Sequence, residues 1–236
     1  MSSFSNVFEN DLLLLYFNNT NAANIGDATG LRGSTTAGSL YLSLHNASPG
    51  EAGSQTTNEC SWTSYARLAV ARSGAGWTVS TNTFTNAAEA AFAQCTGGSD
   101  TVKFFGVGRS VSGAGTLDWY GPLTTARFAF TFDVGVDAAA DKIVAPGHNF
   151  LTTTGLNQVV FVAVGGTTLP TGISPDTIYF VKTSTTDSFT ISATDGGSTL
   201  NITSSGSGFV SAITPLAVSN GITARFAAGT LNGSVD

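Results

Sequence analysis

Hydrophobic residues recur at every second position in many short segments of this chain, a pattern typical of β-strands with one buried face. In residues 39–45, Leu40, Leu42 and Leu44 alternate with polar or aromatic residues, and residues 127–134 alternate in the same way. Gly-rich turn signals separate these segments. We therefore predict an all-β protein, an antiparallel β-sandwich, with strands at 39–45, 65–72, 90–93, 101–109, 116–120 and 126–134. The segment 127–134 is expected to line the core of this sandwich.

The character of the sequence changes around residue 136. Further strands are predicted at 158–164, 177–182, 189–193, 200–202 and 209–213. This segment has its own apolar alternation, so it can bury a small core of its own. Alternation then resumes at Ile222, Ala224 and Phe226. We expect one β-sandwich domain of residues 1–135 and 214–236, with residues 136–213 forming a small β domain inserted into one of its loops.

A short helix is predicted at the amino terminus, where residues 12–17 form an apolar run. Ser5 or Asn6 can cap it. The run is too short to cross a bilayer and lacks the basic start of a signal peptide. Four apolar residues can share one helix face: Val7, Phe8, Leu12 and Leu15. We hypothesise that this face anchors the protein to a partner or to other copies of itself.

Charged residues make up only 10% of the chain, against about 25% in an ordinary globular domain. The surface is therefore expected to present mainly hydroxyl and amide groups. The formal net charge is -6, and the nine Lys and Arg residues form no basic run. Nucleic-acid binding depends on clustered basic side chains, so the composition argues against nucleic acid as a partner. No membrane partner is expected either.

The residues able to carry metal or nucleophilic chemistry are few. Cys60 and Cys95 are interpreted as two buried thiols, with a cross-strand disulfide as the alternative. The two histidines and two cysteines lack zinc-ligand spacing, so no metal or cofactor is predicted. His45 falls on the polar side of its predicted strand and His148 falls in a predicted turn. We therefore predict no catalytic residue.

Two sugar-related interpretations stay open at this stage. The fifteen acidic residues could include a glycosidase pair, although most stand alone in turn-like contexts. Five aromatic residues could stack on sugars: Trp62, Tyr65, Trp77, Trp119 and Tyr120. A role in the core or at a protein interface is favoured for them, because aromatic side chains bury large areas at low entropic cost.

Several motifs, taken in order, make the chain similar to a widespread family of small virion structural proteins of tailed bacteriophages. The matching segments lie at 42–53, 65–67, 76–79, 92–98, 105–108, 120–123 and 226–231. They cover nearly all of the predicted sandwich domain. In short relatives, the segment that corresponds to 216–222 follows the preceding strand directly, which supports the expected insertion.

This resemblance implies a non-enzymatic component of the virus particle. Such chains have been labelled both tail-fibre proteins and head-decoration proteins. From the sequence we favour a capsid decoration or cement protein, a homotrimer that binds the major capsid protein on the outer capsid surface. The alternative is a tail-fibre or receptor-binding protein whose insert contacts the host. A glycan-cleaving enzyme is a third, weaker possibility.

Overall fold

The computed structural model describes residues 5–22, 33, 35–124, 127–135, 137, 140–163, 167–175 and 177–235. Within these residues the elements, in chain order, are α1 (Asn6–Asn18), β1 (Ser39–His45), β2 (Leu68–Ala71), β3 (Trp77–Ser80), β4 (Thr83–Asn86), β5 (Ala90–Ala91), β6 (Ser99–Val102), β7 (Phe104–Gly108), β8 (Leu117–Pro122), β9 (Phe128–Phe132), β10 (Ile143–Val144), β11 (Gln158–Val162), β12 (Tyr179–Ser184), β13 (Ser188–Ser192), β14 (Gly206–Ala212), β15 (Leu216–Ser219), β16 (Arg225–Phe226) and β17 (Asn232–Ser234). Every pairing between these strands is antiparallel. The predicted all-β class is confirmed. Three predicted positions, Ala126, Val136 and Val164, lie outside the described residues.

The chain forms two compact units. The first contains residues 1–121 and 216–236, and the second contains residues 122–215. The second unit includes the predicted insert at 136–213 and also strand β9.

The first unit is organised around a four-stranded sheet in the order β2-β1-β7-β8. A three-stranded sheet, β17-β4-β3, and two strand pairs, β15-β6 and β16-β5, complete it. Helix α1 contacts β3 and β4. The closing segment of the chain thus supplies three strands that pair with strands from residues 83–102, which explains why alternation resumes after the insert.

Helix α1 begins and ends at capping residues. The Ser5 hydroxyl accepts a hydrogen bond from the Phe8 amide at 3.4 Å. Asn19 adopts a left-handed conformation, and the Thr20 amide donates to the carbonyl of Leu14 at 3.1 Å. Both ends of the helix are therefore defined by the sequence itself, and the predicted Ser5 cap is confirmed.

Two predictions for strands of the first unit were wrong in detail. Residues 101–109 do not form one strand, because the chain changes partner at Lys103: β6 pairs with β15, whereas β7 pairs with β1. The predicted strand at 65–72 begins only at Leu68, since the Tyr65 amide closes a turn to the carbonyl of Trp62 and the Arg67 side chain points to Glu59.

Strand β1 was expected to be buried on one face only, and this was wrong for its second half. Ser43 and His45 are both fully buried, as are Leu42 and Leu44. The reason is that β1 lies in the interior of its sheet between β2 and β7, while the carbonyl of Thr57 approaches its polar side chains.

The second unit is a closed barrel in the strand order β10-β13-β12-β11-β14-β9. Its interior is a single cluster of buried apolar side chains that includes Phe130, Phe161 and Ile191. The segment 127–134 was expected to line the sandwich core, and this was wrong. Strand β9 pairs instead with β14 and β10, because its inward phenylalanines fill the barrel.

Candidate functional site

The four apolar helix residues predicted to contact a partner do not lie on the buried side of α1. The buried side is formed by Glu9, Leu13 and Phe17, which recur every four residues. Val7 is 73% exposed, and the other three are partly buried: Phe8, Leu12 and Leu15. The helix is thus a core element of the first unit that also presents apolar side chains towards the outside.

An aromatic cluster holds the buried side of the helix. The Phe17 ring stacks on Phe84 with centroids 3.9 Å apart, and lies 4.8 Å from Trp77 and 5.4 Å from Trp119. Trp77 is fully buried and Trp62 is 4% exposed. The favoured interpretation of these two tryptophans as core residues is confirmed, and neither can stack on a sugar from solvent.

Arg72 organises the carboxyl end of the helix. Its guanidinium donates to the carbonyls of Leu15 at 2.9 Å and Tyr16 at 2.7 Å, and to that of Ala37 at 3.3 Å. The last carbonyls of a helix have no intrahelical partner and carry partial negative charge, so a cation there is stabilising. Arg72 therefore joins the helix end to the segment that precedes β1.

Beside this junction is an open cleft of about 560 Å³, lined by Tyr16, Thr36, Ala37, Gly38, Ser39, Leu40, Arg72 and Arg109. Asp118 fixes two of these side chains. It accepts a hydrogen bond from the Tyr16 hydroxyl at 2.5 Å, and the Arg109 guanidinium binds both of its oxygens, at 2.6 and 3.0 Å. Burial, together with the Asp118 carboxylate, raises the pKa of Tyr16, so this phenol stays neutral. Sequence reasoning missed the cleft, because its residues come from four separate segments.

The long connection between β1 and β2, residues 46–67, is held by a buried ion pair between Glu59 and Arg67. Arg67 donates to both Glu59 oxygens at 2.7 Å and also to the carbonyls of Ser110 and Gly113. The Tyr65 hydroxyl donates to Glu59 at 3.0 Å. Tyr65 and Arg67, which belong to one of the segments that resemble the virion protein family, therefore serve to hold this connection in place.

Ser43 and His45 have the spacing of a nucleophile and its base. The Ser43 hydroxyl lies 2.8 Å from His45 Nε2, and His45 Nδ1 donates to the carbonyl of Thr57 at 2.8 Å. Burial lowers the pKa of His45, which keeps the ring neutral. A Cβ added to Gly106 would lie 2.7 Å from both His45 Nε2 and Ser43 Oγ, which shows how closely β7 covers the pair. No substrate carbonyl can reach a hydroxyl enclosed in this way.

His148 lies in the predicted turn but is 3% exposed. Its ring packs against Phe150 and Phe189, at centroid distances of 4.6 and 4.9 Å, and its Nδ1 accepts from the Phe150 amide. Burial lowers the pKa of His148. This histidine is therefore a neutral part of the barrel wall.

Cys60 and Cys95 are both buried free thiols, as interpreted from the sequence, and the alternative disulfide is not formed. Burial raises the pKa of Cys60. The part of the chain that the structure describes holds no group of three or more His, Cys, Asp or Glu residues arranged for a metal ion. No helix among those residues has the length and apolar character needed to cross a bilayer.

The chain matches the model of a known protein family. Residues 3–143, more than half of the chain, match the model of the Gp80 family, described as Podophage GP4 fiber I protein gp80. The matched range contains helix α1, the four-stranded sheet and the Glu59–Arg67 ion pair. No curated protein matches the sequence.

Proposed function

Because this chain belongs to the Gp80 family of podophage fibre I proteins, we propose that it is a structural component of a bacteriophage fibre. The observation that carries this proposal is the match over residues 3–143. The family supports the virion structural role implied by the sequence motifs. Its name favours the fibre alternative over the capsid decoration role that we preferred from the sequence.

The role proposed for the chain is non-enzymatic. Ser43 and His45, which lie at the distance of a nucleophile and its base, are covered by strand β7 and by the carbonyl of Thr57. The Glu59 carboxylate accepts hydrogen bonds from Arg67 and Tyr65. These side chains hold the connection between β1 and β2 in place and are therefore assigned a structural role.

Helix α1 is proposed as an element that contacts neighbouring copies. Eight of its thirteen residues are apolar or aromatic, and its buried side uses only Leu13 and Phe17 fully. A helix with apolar residues on most of its sides is usually buried by other protein surfaces on those sides. The proposal includes a homotrimer in which the helices contact neighbouring copies through four side chains: Val7, Phe8, Leu12 and Leu15. Binding to the major capsid protein stays a prediction attached to the decoration alternative.

Antibody labelling of intact particles tests the proposed location. Antibodies raised against the purified chain, visualised with gold in electron micrographs of virions, should label the tail region. Labelling spread over the capsid surface would overturn the fibre assignment in favour of decoration. Particles of a phage lacking the gene provide the control for antibody specificity.

A further inference from the structure

We propose that residues 147–157, which precede β11, form a pH-sensitive loop that opens from the barrel when His148 takes up a proton. This inference concerns the second unit alone and does not depend on the fibre role proposed above. The loop contains two glycines in the left-handed conformation, Gly147 and Gly155, with φ values of 73° and 84°. A Cβ built on either glycine meets no atom within 4 Å. The backbone can therefore rearrange at both positions without a clash.

The neutral ring of His148 holds the beginning of this loop against the barrel. Its Nδ1 atom accepts a hydrogen bond from the Phe150 amide at 2.9 Å, so the ring proton lies on Nε2. The same ring packs against the rings of Phe150 and Phe189. The Ser184 hydroxyl donates to the Phe150 carbonyl at 2.9 Å. The closed position of Phe150 thus depends on a hydrogen bond that only an unprotonated Nδ1 can accept.

A protonated His148 ring does not fit the closed loop. Both nitrogens of an imidazolium are donors, so Nδ1 and the Phe150 amide would face each other as two donors. Nε2 has no hydrogen-bond partner among the described residues, and the side chain is buried. A buried charge without such partners is costly. Uptake of a proton is therefore expected to move the ring into solvent and to release the Phe150 amide.

Among the described residues, the charged group that influences the His148 ring is Asp187, in the turn between β12 and β13. Its Oδ1 atom accepts a hydrogen bond from the Gly147 amide at 3.2 Å, so the carboxylate lies beside the backbone that carries His148. Asp187 and the backbone of Ser188 favour the charged ring, but burial outweighs both and lowers the pKa of His148 in the closed loop. Opening removes this burial, and attraction to Asp187 then favours the open form.

Opening enlarges the apolar surface of the loop. Phe150 is buried in the closed loop, where its ring packs on Phe128 and Phe189. Leu151 and Leu156 are already exposed. The loop contains no Asp, Glu, Lys or Arg residue. Release of Phe150 therefore adds a third large apolar side chain to an uncharged surface, and it does so only at mildly acidic pH.

Amide hydrogen exchange of the purified full-length chain tests the proposal, measured by NMR between about pH 7.5 and 5.5, above the titration range of ordinary carboxyl groups. The protection factor of the Phe150 amide should fall at least about tenfold over this range, because the open loop binds a proton with the ordinary histidine pKa of 6.5 or above. Local opening also requires this amide to be at least about tenfold less protected than the amides of β12 at every pH. Unchanged protection of Phe150, or protection equal to that of β12, would overturn the proposal.

Two variants of His148 separate the effect of the proton from that of packing. His148→Asn provides an oxygen that can accept from the Phe150 amide but does not titrate in this range, and His148→Phe keeps an aromatic ring in the barrel wall. In each variant the protection factor of Phe150 should change less than about twofold between the two pH values. A tenfold fall in either variant would contradict control of the loop by His148.

Two aspartate variants test the partner of the charged ring. Asp187→Asn retains an acceptor for the Gly147 amide but removes the charge, so the fall in Phe150 protection should become smaller. The matched control is Asp141→Asn, since Asp141 accepts from the Ile202 amide at 2.9 Å in the same unit. This control should retain the full pH dependence. An equal effect of the two variants would contradict the role of Asp187.

Discussion

The two units of this chain are stabilised by different means. The first unit contains the three ion pairs found among the described residues, one of them the buried pair of Glu59 and Arg67. The barrel of the second unit is filled by a cluster of fourteen buried side chains, of which thirteen are purely hydrocarbon. The first unit therefore combines an apolar core, which includes Phe17, Trp77 and Phe84, with a buried ion pair, whereas the described interior of the barrel depends mainly on shape and volume.

This difference determines which kind of substitution each unit tolerates. A buried charge whose partner is lost keeps its desolvation cost, so a polar network is sensitive to the removal of single groups. An apolar core loses stability in proportion to the cavity that a truncation leaves.

The largest effect is expected in the polar network. Arg67→Met should lower the free energy of unfolding by about 3–5 kcal/mol, because it leaves Glu59 and two backbone carbonyls without their partner. Arg225→Met, which breaks an exposed ion pair, should cost at most about 1 kcal/mol. Denaturant unfolding of both variants measures the difference. Equal losses of stability in Arg67→Met and Arg225→Met would show that the burial of the Glu59–Arg67 pair does not matter.

A truncation in the barrel should have the next largest effect. Ile191→Ala should cost about 2–4 kcal/mol, since the side chain is fully buried in the apolar cluster. Leu151→Ala, at a position that is 53% exposed, should change stability by about 0.5 kcal/mol or less. Hydrogen exchange should place the effect of Ile191→Ala in strands β11 to β14, and protection lost only in the first unit would contradict the two-unit description.

Each unit has one buried neutral histidine, His45 or His148, whose pKa burial lowers below the ordinary value of 6.5. Below pH 6.5 the unfolded chain takes up protons that the folded chain does not. Stability should therefore fall as the pH drops from about 6.5 towards the folded-state pKa, by up to about 1.4 kcal/mol per pH unit for each histidine. His148→Phe should make the loss of stability between pH 7 and 5.5 smaller, because one of the two groups that bind a proton on unfolding is then absent. An unchanged pH profile would show that His148 titrates normally.

The smallest effect on stability is expected at the outer side of helix α1. Val7→Ser should change the free energy of unfolding by about 0.5 kcal/mol or less, yet weaken self-association several-fold if this side contacts another copy. Val111→Ser is the matched control, an exposed valine of the same unit. Sedimentation equilibrium measures association. A similar loss, or no loss, in both variants would remove Val7 from the proposed interface. Deletion of residues 1–18 would not test this interface, because it also removes Leu13 and Phe17 from the core of the first unit.

Strand periodicity predicted the barrel better than it predicted the first unit. Strands β11, β13 and β14 overlap their predicted segments, although β11 and β13 are buried along most of their length rather than on alternate residues. The hairpin of β3 and β4 was missed, since it turns at Thr81, which adopts φ 57 without the glycine that usually marks such a turn. Residues 200–202 were predicted as a strand but form none, although Ile202 is buried.

The candidate site was the least predictable part. The sequence predicted the amino-terminal helix and its cap, but the face proposed to contact a partner could not be separated from the buried one, because four consecutive leucines give no clear buried side. That predicted face consists of Val7, Phe8, Leu12 and Leu15. The assignment of Leu13 and Phe17 to the core depends on Trp77, Phe84 and Trp119, which lie far along the chain. The cleft likewise depends on residues brought together only by folding.

The copy number of this protein in purified virions tests the fibre assignment most directly. Mass spectrometry with isotope-labelled peptides, normalised to the major capsid protein, measures it. The proposed fibre role predicts a few to a few dozen copies per particle. Hundreds of copies would contradict it and would restore the capsid decoration role.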